Sequence, residues 1–170
     1  MKENLIYNLM QKAYEEALIA YREDEIPVAS LIYHNGSILA KSHNRTRQLG
    51  DPLMHSESMV INLVLHNYPQ SVLRESVLIT TLEPCIMCTG QIILAKIKEV
   101  HFGAMAPKTG AVVSLYNLLD DRRLNHRPVY SHGWMEKEIG GLLSLFFQKK
   151  REIMKTCHSG SKLSEYGHSF

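Results

Sequence analysis

The residues with the clearest chemical potential are Cys85 and Cys88, in the run Pro84-Cys85-Ile86-Met87-Cys88. Proline suits the first turn of a helix, where its missing N–H costs nothing. Side chains three apart on a helix share a face, so both sulfurs can reach a common point. That point lies at the positive end of the helix dipole, which favours thiolate over thiol. A lone Cys-x-x-Cys serves zinc and thioredoxin-type disulfides alike, and two core cysteines can have the same spacing.

His55 offers a third donor. It opens a helical pattern in Met54-His55-Ser56-Glu57, after the turn signal Asp51-Pro52. Neighbouring helices of a layered α/β domain often begin at one sheet edge, where ligand crevices form. His55, Cys85 and Cys88 would meet there as a three-donor zinc site with its fourth position open, the catalytic arrangement. Glu57, two helical steps on, is rotated about 200° from His55 and is poorly placed as a further ligand. From the first turn it can lean over the pocket and move protons between an activated water and a substrate. Taken singly, a histidine is usually just hydrogen-bonded, and a first-turn glutamate complements the helix dipole. Their combination points to hydrolysis at a metal.

These residues need elements to position them. Apolar residues recur at helical spacing from Asn4 to Arg22, from Met54 to His66 and from Met135 to Met154. Val28 to Tyr33 and Ser37 to Ser42 flank Asn35-Gly36 and read as a β-hairpin. Val77 to Leu82, Glu99 to Gly103 and Pro128 to Ser131 read as strands, and Cys85 to Lys96 as a helix begun at Pro84. His43 to Pro52 reads as a polar turn, Ala104 to Gly110 as a loop and Leu115 to Leu119 as a short helix. The order predicts a three-layer α/β/α domain around a mixed five-stranded sheet. Residues 1–155 form that single domain, and the Ser-, Gly- and His-rich stretch 156–170 reads as a frayed tail.

His-x-Glu followed by Pro-Cys-x-x-Cys resembles the signature of the zinc nucleobase deaminases, the cytidine and deoxycytidylate deaminase superfamily. The resemblance extends from about Gln11 to Arg151. It includes Glu25-Ile26-Pro27-Val28, Ser42-His43-Asn44-Arg45, Thr81-Leu82-Glu83-Pro84-Cys85 and Phe102-Gly103-Ala104. Lys108-Thr109-Gly110-Ala111, Ser114-Leu115, Leu124-Asn125-His126-Arg127 and Phe146-Phe147 also look like the bacterial tRNA adenosine deaminase branch. The resemblance implies a cytidine deaminase-like fold, one Zn2+ per subunit held by His55, Cys85 and Cys88, and Glu57 as proton shuttle. It implies that Asn44 hydrogen-bonds a flipped base and that Val28 packs on its ring. Lys108 would contact a backbone phosphate, and Phe146 or Phe147 with Lys149, Lys150 and Arg151 would contact an RNA stem-loop. Bases splayed from a loop need an apolar or aromatic platform with cations beside it.

Three positions depart from the family pattern. Ala106 stands where an Asp or Asn is usual, so a polar contact to the target nucleotide's sugar or backbone is missing or supplied elsewhere. Ser56 replaces a usual Ala, leaving its backbone N–H as the group able to serve an oxygen-bearing intermediate. Gly133-Trp134 replaces a usual Gly-Ile.

Composition narrows the rest. A chain of 170 residues with 45% hydrophobic and 21% charged residues can bury a core without disulfides. Its three cysteines are too few and too unevenly spaced for a secreted disulfide framework, so the chain reads as cytoplasmic. No apolar run approaches the roughly 18 residues of a membrane span. A net charge of +2 is modest for a nucleic-acid binder, so local clusters must supply the attraction. The leading expectation is zinc-dependent hydrolysis of adenosine to inosine at the wobble position of a tRNA anticodon, by a homodimer. Deamination of a free base or nucleoside, such as guanine or cytosine, is the enzymatic alternative. A non-catalytic zinc-stabilised RNA-binding protein is a third class, and Glu57 argues against it because a structural site is closed by four ligands.

Overall fold

Asn35 and Gly36 take φ angles of 45° and 87°, the positive values that a two-residue hairpin turn requires. They join strand β1 (Ala29–His34) to β2 (Ser37–His43). The computed structural model describes residues 2–161, with side chains as far as 156. The sheet has five strands in the order β2-β1-β3-β4-β5, where β3 is Val77–Leu82, β4 Glu99–Ala104 and β5 Val129–Ser131. β1 is antiparallel to β2 and β3, while β3, β4 and β5 are mutually parallel. This is the mixed sheet predicted.

Alternation along the strands sends apolar residues to both faces. Leu31 and Ile79 meet helix α1 (Lys2–Arg22), which buries Ile6, Leu9, Met10 and Ala13, together with Ile139 of the last helix. Ile32, Leu78 and Val100 meet the opposite layer, formed by α3 (Ser56–Asn67) and α4 (Ile86–Ala95) through Val60, Ile61, Val64 and Ile92. The last helix, α5, runs from Glu136 to Ser161. The segment expected to fray after Lys155 is therefore helical as far as Ser161, and residues 162–170 lie outside the described part. Among the described residues no helix is long and apolar enough to cross a membrane.

Several local features differ from expectation. The supposed turn from His43 to Pro52 contains a one-turn helix, α2 (Thr46–Leu49), too short to show an apolar period. It is organised from outside by Glu25, fully buried, whose carboxylate accepts from the N–H groups of Arg47 (2.7 Å) and Gln48 (3.1 Å) and from the Thr46 hydroxyl (3.0 Å). Gln70–Glu75 forms a 3-10 turn where none was predicted, and the short helix at Leu115 to Leu119 is instead a 3-10 turn at Leu118–Asp120. Trp134, the odd residue after Gly133, donates its indole N–H to Ser131 Oγ (2.8 Å), which is also 2.7 Å from His101 Nδ1. His126 donates to the carbonyl of Ile97 (2.7 Å) and braces its loop.

α1 is tied to β2 by charge as well as by packing. Glu16 contacts His43 Nδ1 (2.8 Å) and Lys41 Nζ (2.9 Å), and the other imidazole nitrogen meets Glu23 (3.2 Å). Burial alone would push the Glu16 carboxyl up, but its hydrogen bonds to His43 and Lys41 outweigh that and hold it below the ordinary glutamate value. A carboxyl depressed on folding stabilises fully above its unfolded pKa of about 4.3, and that stabilisation is lost as pH falls through the lower folded value. Glu16→Gln is therefore expected to cost about 1 to 2 kcal/mol at pH 7, with the deficit against the parent shrinking below about pH 4. Urea unfolding across that range measures both.

Candidate active site

Two helices begin at the same place. His55 is the N-cap of α3 and Cys85 the N-cap of α4, both in extended backbone, with Cys88 in the first turn of α4. His55 Nδ1 lies 3.6 Å from Cys85 Sγ and 3.5 Å from Cys88 Sγ, and the three donor atoms fall within 4.8 Å of one another. A tetrahedral ion with Zn–S of about 2.3 Å and Zn–N of about 2.0 to 2.1 Å separates such donors by about 3.5 to 3.6 Å. The three residues therefore fit a single zinc site. The three donors share protons among themselves: sharing of the Cys88 proton and the hydrogen bond to His55 hold the Cys85 thiol down at about 4. The contact with Cys85, followed by burial, pushes the Cys88 thiol up, and the Cys85 hydrogen bond raises His55.

Glu57 is 3% exposed, and burial raises its pKa. It lines a cavity of about 230 Å³ with Ile26, Val28, Asn44, His55, Leu82, Cys85, Thr109 and Phe147. That volume is below the roughly 300 Å³ at which pockets for drug-sized ligands begin, so it suits one base better than a whole nucleotide. Asn44 Oδ1 accepts the Ser56 N–H (2.8 Å), which fixes the amide so that its NH2 remains available to a ligand. The Ser56 N–H is consequently already used, and the idea that it serves a reaction intermediate is corrected. Its hydroxyl is fully buried and bonds Glu57 Oε2 (3.1 Å).

The far wall is held by Glu83, immediately before Pro84. Its carboxylate accepts from the N–H groups of Ala106 (2.9 Å), Val112 (3.2 Å), Val113 (2.7 Å) and Ser114 (2.8 Å), and from the Ser114 hydroxyl. Burial works against the charge, but these donors outweigh it and keep the carboxyl below its ordinary value. A Cβ at Gly110 would overlap the Glu83 carboxylate, so glycine is required there. Ala106 is buried, with its N–H on Glu83 and its carbonyl accepting from Gly110 (2.7 Å). Ala106 lines neither the cavity nor the groove beside it.

Residues 4–104 match the cytidine and deoxycytidylate deaminase zinc-binding region. The tRNA-specific adenosine deaminase of Aquifex aeolicus (strain VF5) is 39% identical over 142 residues, spanning 84% of this chain and 93% of the relative. This chain belongs to the tRNA-specific adenosine deaminases. A solved structure from a study of A-to-I editing by tRNA:A34 deaminases at the wobble position of transfer RNA is 34% identical. It superposes with a TM-score of 0.74 over 80% of this chain and 99% of that one. Guanine deaminase from Nitrosomonas europaea shares the fold at 18% identity, with a TM-score of 0.67 over 82% of this chain and 83% of its own.

In this deaminase the residues expected to touch RNA do not all gather at the cavity. Lys108, Phe147 and Arg151 do: with Leu143 and Ser144 they line an adjoining groove of about 510 Å³, and Phe147 forms a wall of both spaces. Phe146 is a correction. It is 2% exposed and packs edge-on against Tyr21, because one helical step turns it about 100° from Phe147 into the core. Lys150 pairs with Asp24 and Lys149 lies 5.8 Å from the Tyr21 ring, so both point to the α1 side and away from the groove. Ile26, Leu82 and Thr109 are cavity residues to which the sequence analysis gave no role; all three stand inside the family-like segments, which were the available signal.

Cys88→Ser is expected to lower bound zinc from one per chain to near zero in metal analysis, with His55→Ala behaving alike. Because the metal binds only the folded protein, chelation is expected to lower the thermal midpoint of the parent.

Proposed function

We propose that this deaminase converts adenosine to inosine at the wobble position of a tRNA anticodon, in the cytoplasm where that substrate is found. The observation that carries this reading is a buried carboxylate, Glu57, beside a three-donor metal cluster, in a base-sized cavity whose Phe147 wall continues into a groove bearing Lys108 and Arg151. The identity to tRNA-specific adenosine deaminases over most of both chains supports the substrate class.

The chain's own residues divide the work. Lys108 and Arg151 attract the phosphates of an extruded loop, and Phe147 offers a stacking face beside them. Val28, Ile26 and Leu82 supply apolar walls for a purine ring, while the Asn44 NH2 donates to an acceptor on its edge. His55, Cys85 and Cys88 would hold zinc, which when bound makes water acidic enough to serve as a nucleophile near neutral pH. Glu57 accepts a proton from the attacking water, delivers it to N1 of the base and assists the departing amine. Water adds at C6, the C6–N6 bond breaks, and ammonia leaves behind inosine.

The test is turnover of an anticodon stem-loop transcript bearing wobble adenosine. Glu57→Gln is expected to retain zinc and fold while losing at least about 10²-fold in kcat. Lys108→Ala with Arg151→Ala is expected to raise KM and flatten the salt dependence, since phosphate contacts make affinity fall as salt rises. Turnover of free guanine or cytosine with none of the transcript would refute the substrate assignment.

We also propose that the enzyme is a homodimer joined through the α3–α4 face. On α4, Ile92 belongs to the core, but Leu94 is 78% exposed and shares a shallow groove with Leu65, Ile61 and Ala95. Gln91 Oε1, in the same groove, is buried without a hydrogen-bond partner among the described residues, an acceptor that a second copy can satisfy. Leu94→Glu is expected to shift the mass found by light scattering from two chains to one.

A further inference from the structure

Beneath Glu57 lies a line of hydroxyl groups that the reaction as described does not use. β1 and β3 pair so that Ser30 stands opposite Thr80. By the alternation of the strands both share the face of Ile32 and Leu78, the face on which α3 packs. Ser30 Oγ is 2.9 Å from Thr80 Oγ1 and 2.7 Å from Ser56 Oγ, and Ser56 Oγ donates to Glu57 Oε2 at 3.1 Å. Ser30, Ser56 and Thr80 are all fully buried. Three hydroxyls in an otherwise apolar layer carry a desolvation cost that is offset only if they bond one another.

We propose that Ser56, backed by Ser30 and Thr80, is the positioning residue of the proton shuttle, holding one oxygen of Glu57 so that the carboxylate keeps its place in the cavity. A hydroxyl has one proton to give: while Ser30 donates to Thr80, Ser56 divides its proton between Ser30 and Glu57, and it donates to Glu57 with the Ser30 bond intact only when Ser30 turns its own proton from Thr80 to Ser56. Among the described residues Ser56 is the one side chain hydrogen-bonded to Glu57. The Ser56 N–H orients Asn44 at the same time. One residue thus sets both the group that moves protons and the group that reads the base. Alanine is the residue the family pattern usually has here; in this chain it would remove the Ser56 bond to Glu57 and leave Ser30 without its 2.7 Å partner, and small misplacements of a reacting group are costly in rate.

This rests on Glu57 as the shuttle, and the experiment separates the two. Ser56→Ala, Ser30→Ala, the double variant and Glu57→Gln are each loaded with zinc and assayed on the stem-loop transcript, with kcat normalised to bound zinc. Ser56→Ala is expected to lower kcat about 5- to 50-fold with KM within about twofold and zinc at one per chain. Ser30→Ala is expected to lower kcat less, and the double variant no further than Ser56→Ala alone. Unchanged kcat in Ser56→Ala, or multiplying kcat losses in the double variant, overturns the proposal. If Ser56→Ala does not fold, Ser30→Ala decides, and its full kcat is the refuting result. Inactive Glu57→Gln beside fully active Ser56→Ala removes this inference alone; active Glu57→Gln removes it together with the shuttle.

Discussion

The Glu83 carboxylate, which has no ion-pair partner among the described residues, holds the cysteine side of the site together. Glu83 sits between the last residue of β3 and the proline that starts the cysteine helix, and its bonds gather the N–H groups of a loop that has no regular structure of its own. Those donors would otherwise be buried and unpaired, each costing about 1 to 3 kcal/mol. Cys85, Thr109 and Lys108 all depend on that loop or on the turn it packs against. Pro84 accepts the Ala111 N–H (2.9 Å), and Cys85 bridges Gly110. Glu25 does the same on the opposite rim, gathering the start of α2. The rigid sheet supplies direction, but two buried acids set the shape of the mouth.

This explains which parts of the molecule were legible in advance. The layers were, because Leu31 against Ile32 and Leu78 against Ile79 follow plain alternation, and the helices carry long apolar periods. The metal cluster was legible too, since helix-start signals at His55 and Pro84 coincide with the donors. The one-turn helix at Thr46 was not, because its order comes from Glu25, about twenty residues earlier, and no local pattern encodes a distant acceptor. The bond from the Ala106 N–H to Glu83 was not legible either, because it depends on tertiary folding that spacing does not reveal.

The same limit governs Phe146 and Phe147. Composition marks an aromatic pair beside three cations, yet only the phase of α5 decides which ring meets solvent. Tyr21 and the α1 layer claim Phe146, and the cavity takes Phe147. Lys149 and Lys150 follow Phe146 to the α1 side, so the basic run divides between bracing the fold and facing the groove.

That phase has a bearing on how the gene can drift. α5 carries core residues, Ile139, Leu142 and Phe146, and groove residues, Phe147 and Arg151, without a proline to absorb a slip. Gaining or losing one codon between Glu136 and Phe147 would turn everything downstream by about 100°. Phe147 would swing inward, Phe146 outward, and Arg151 off the groove. Along this helix the number of residues, as well as their identity, carries the arrangement of the site.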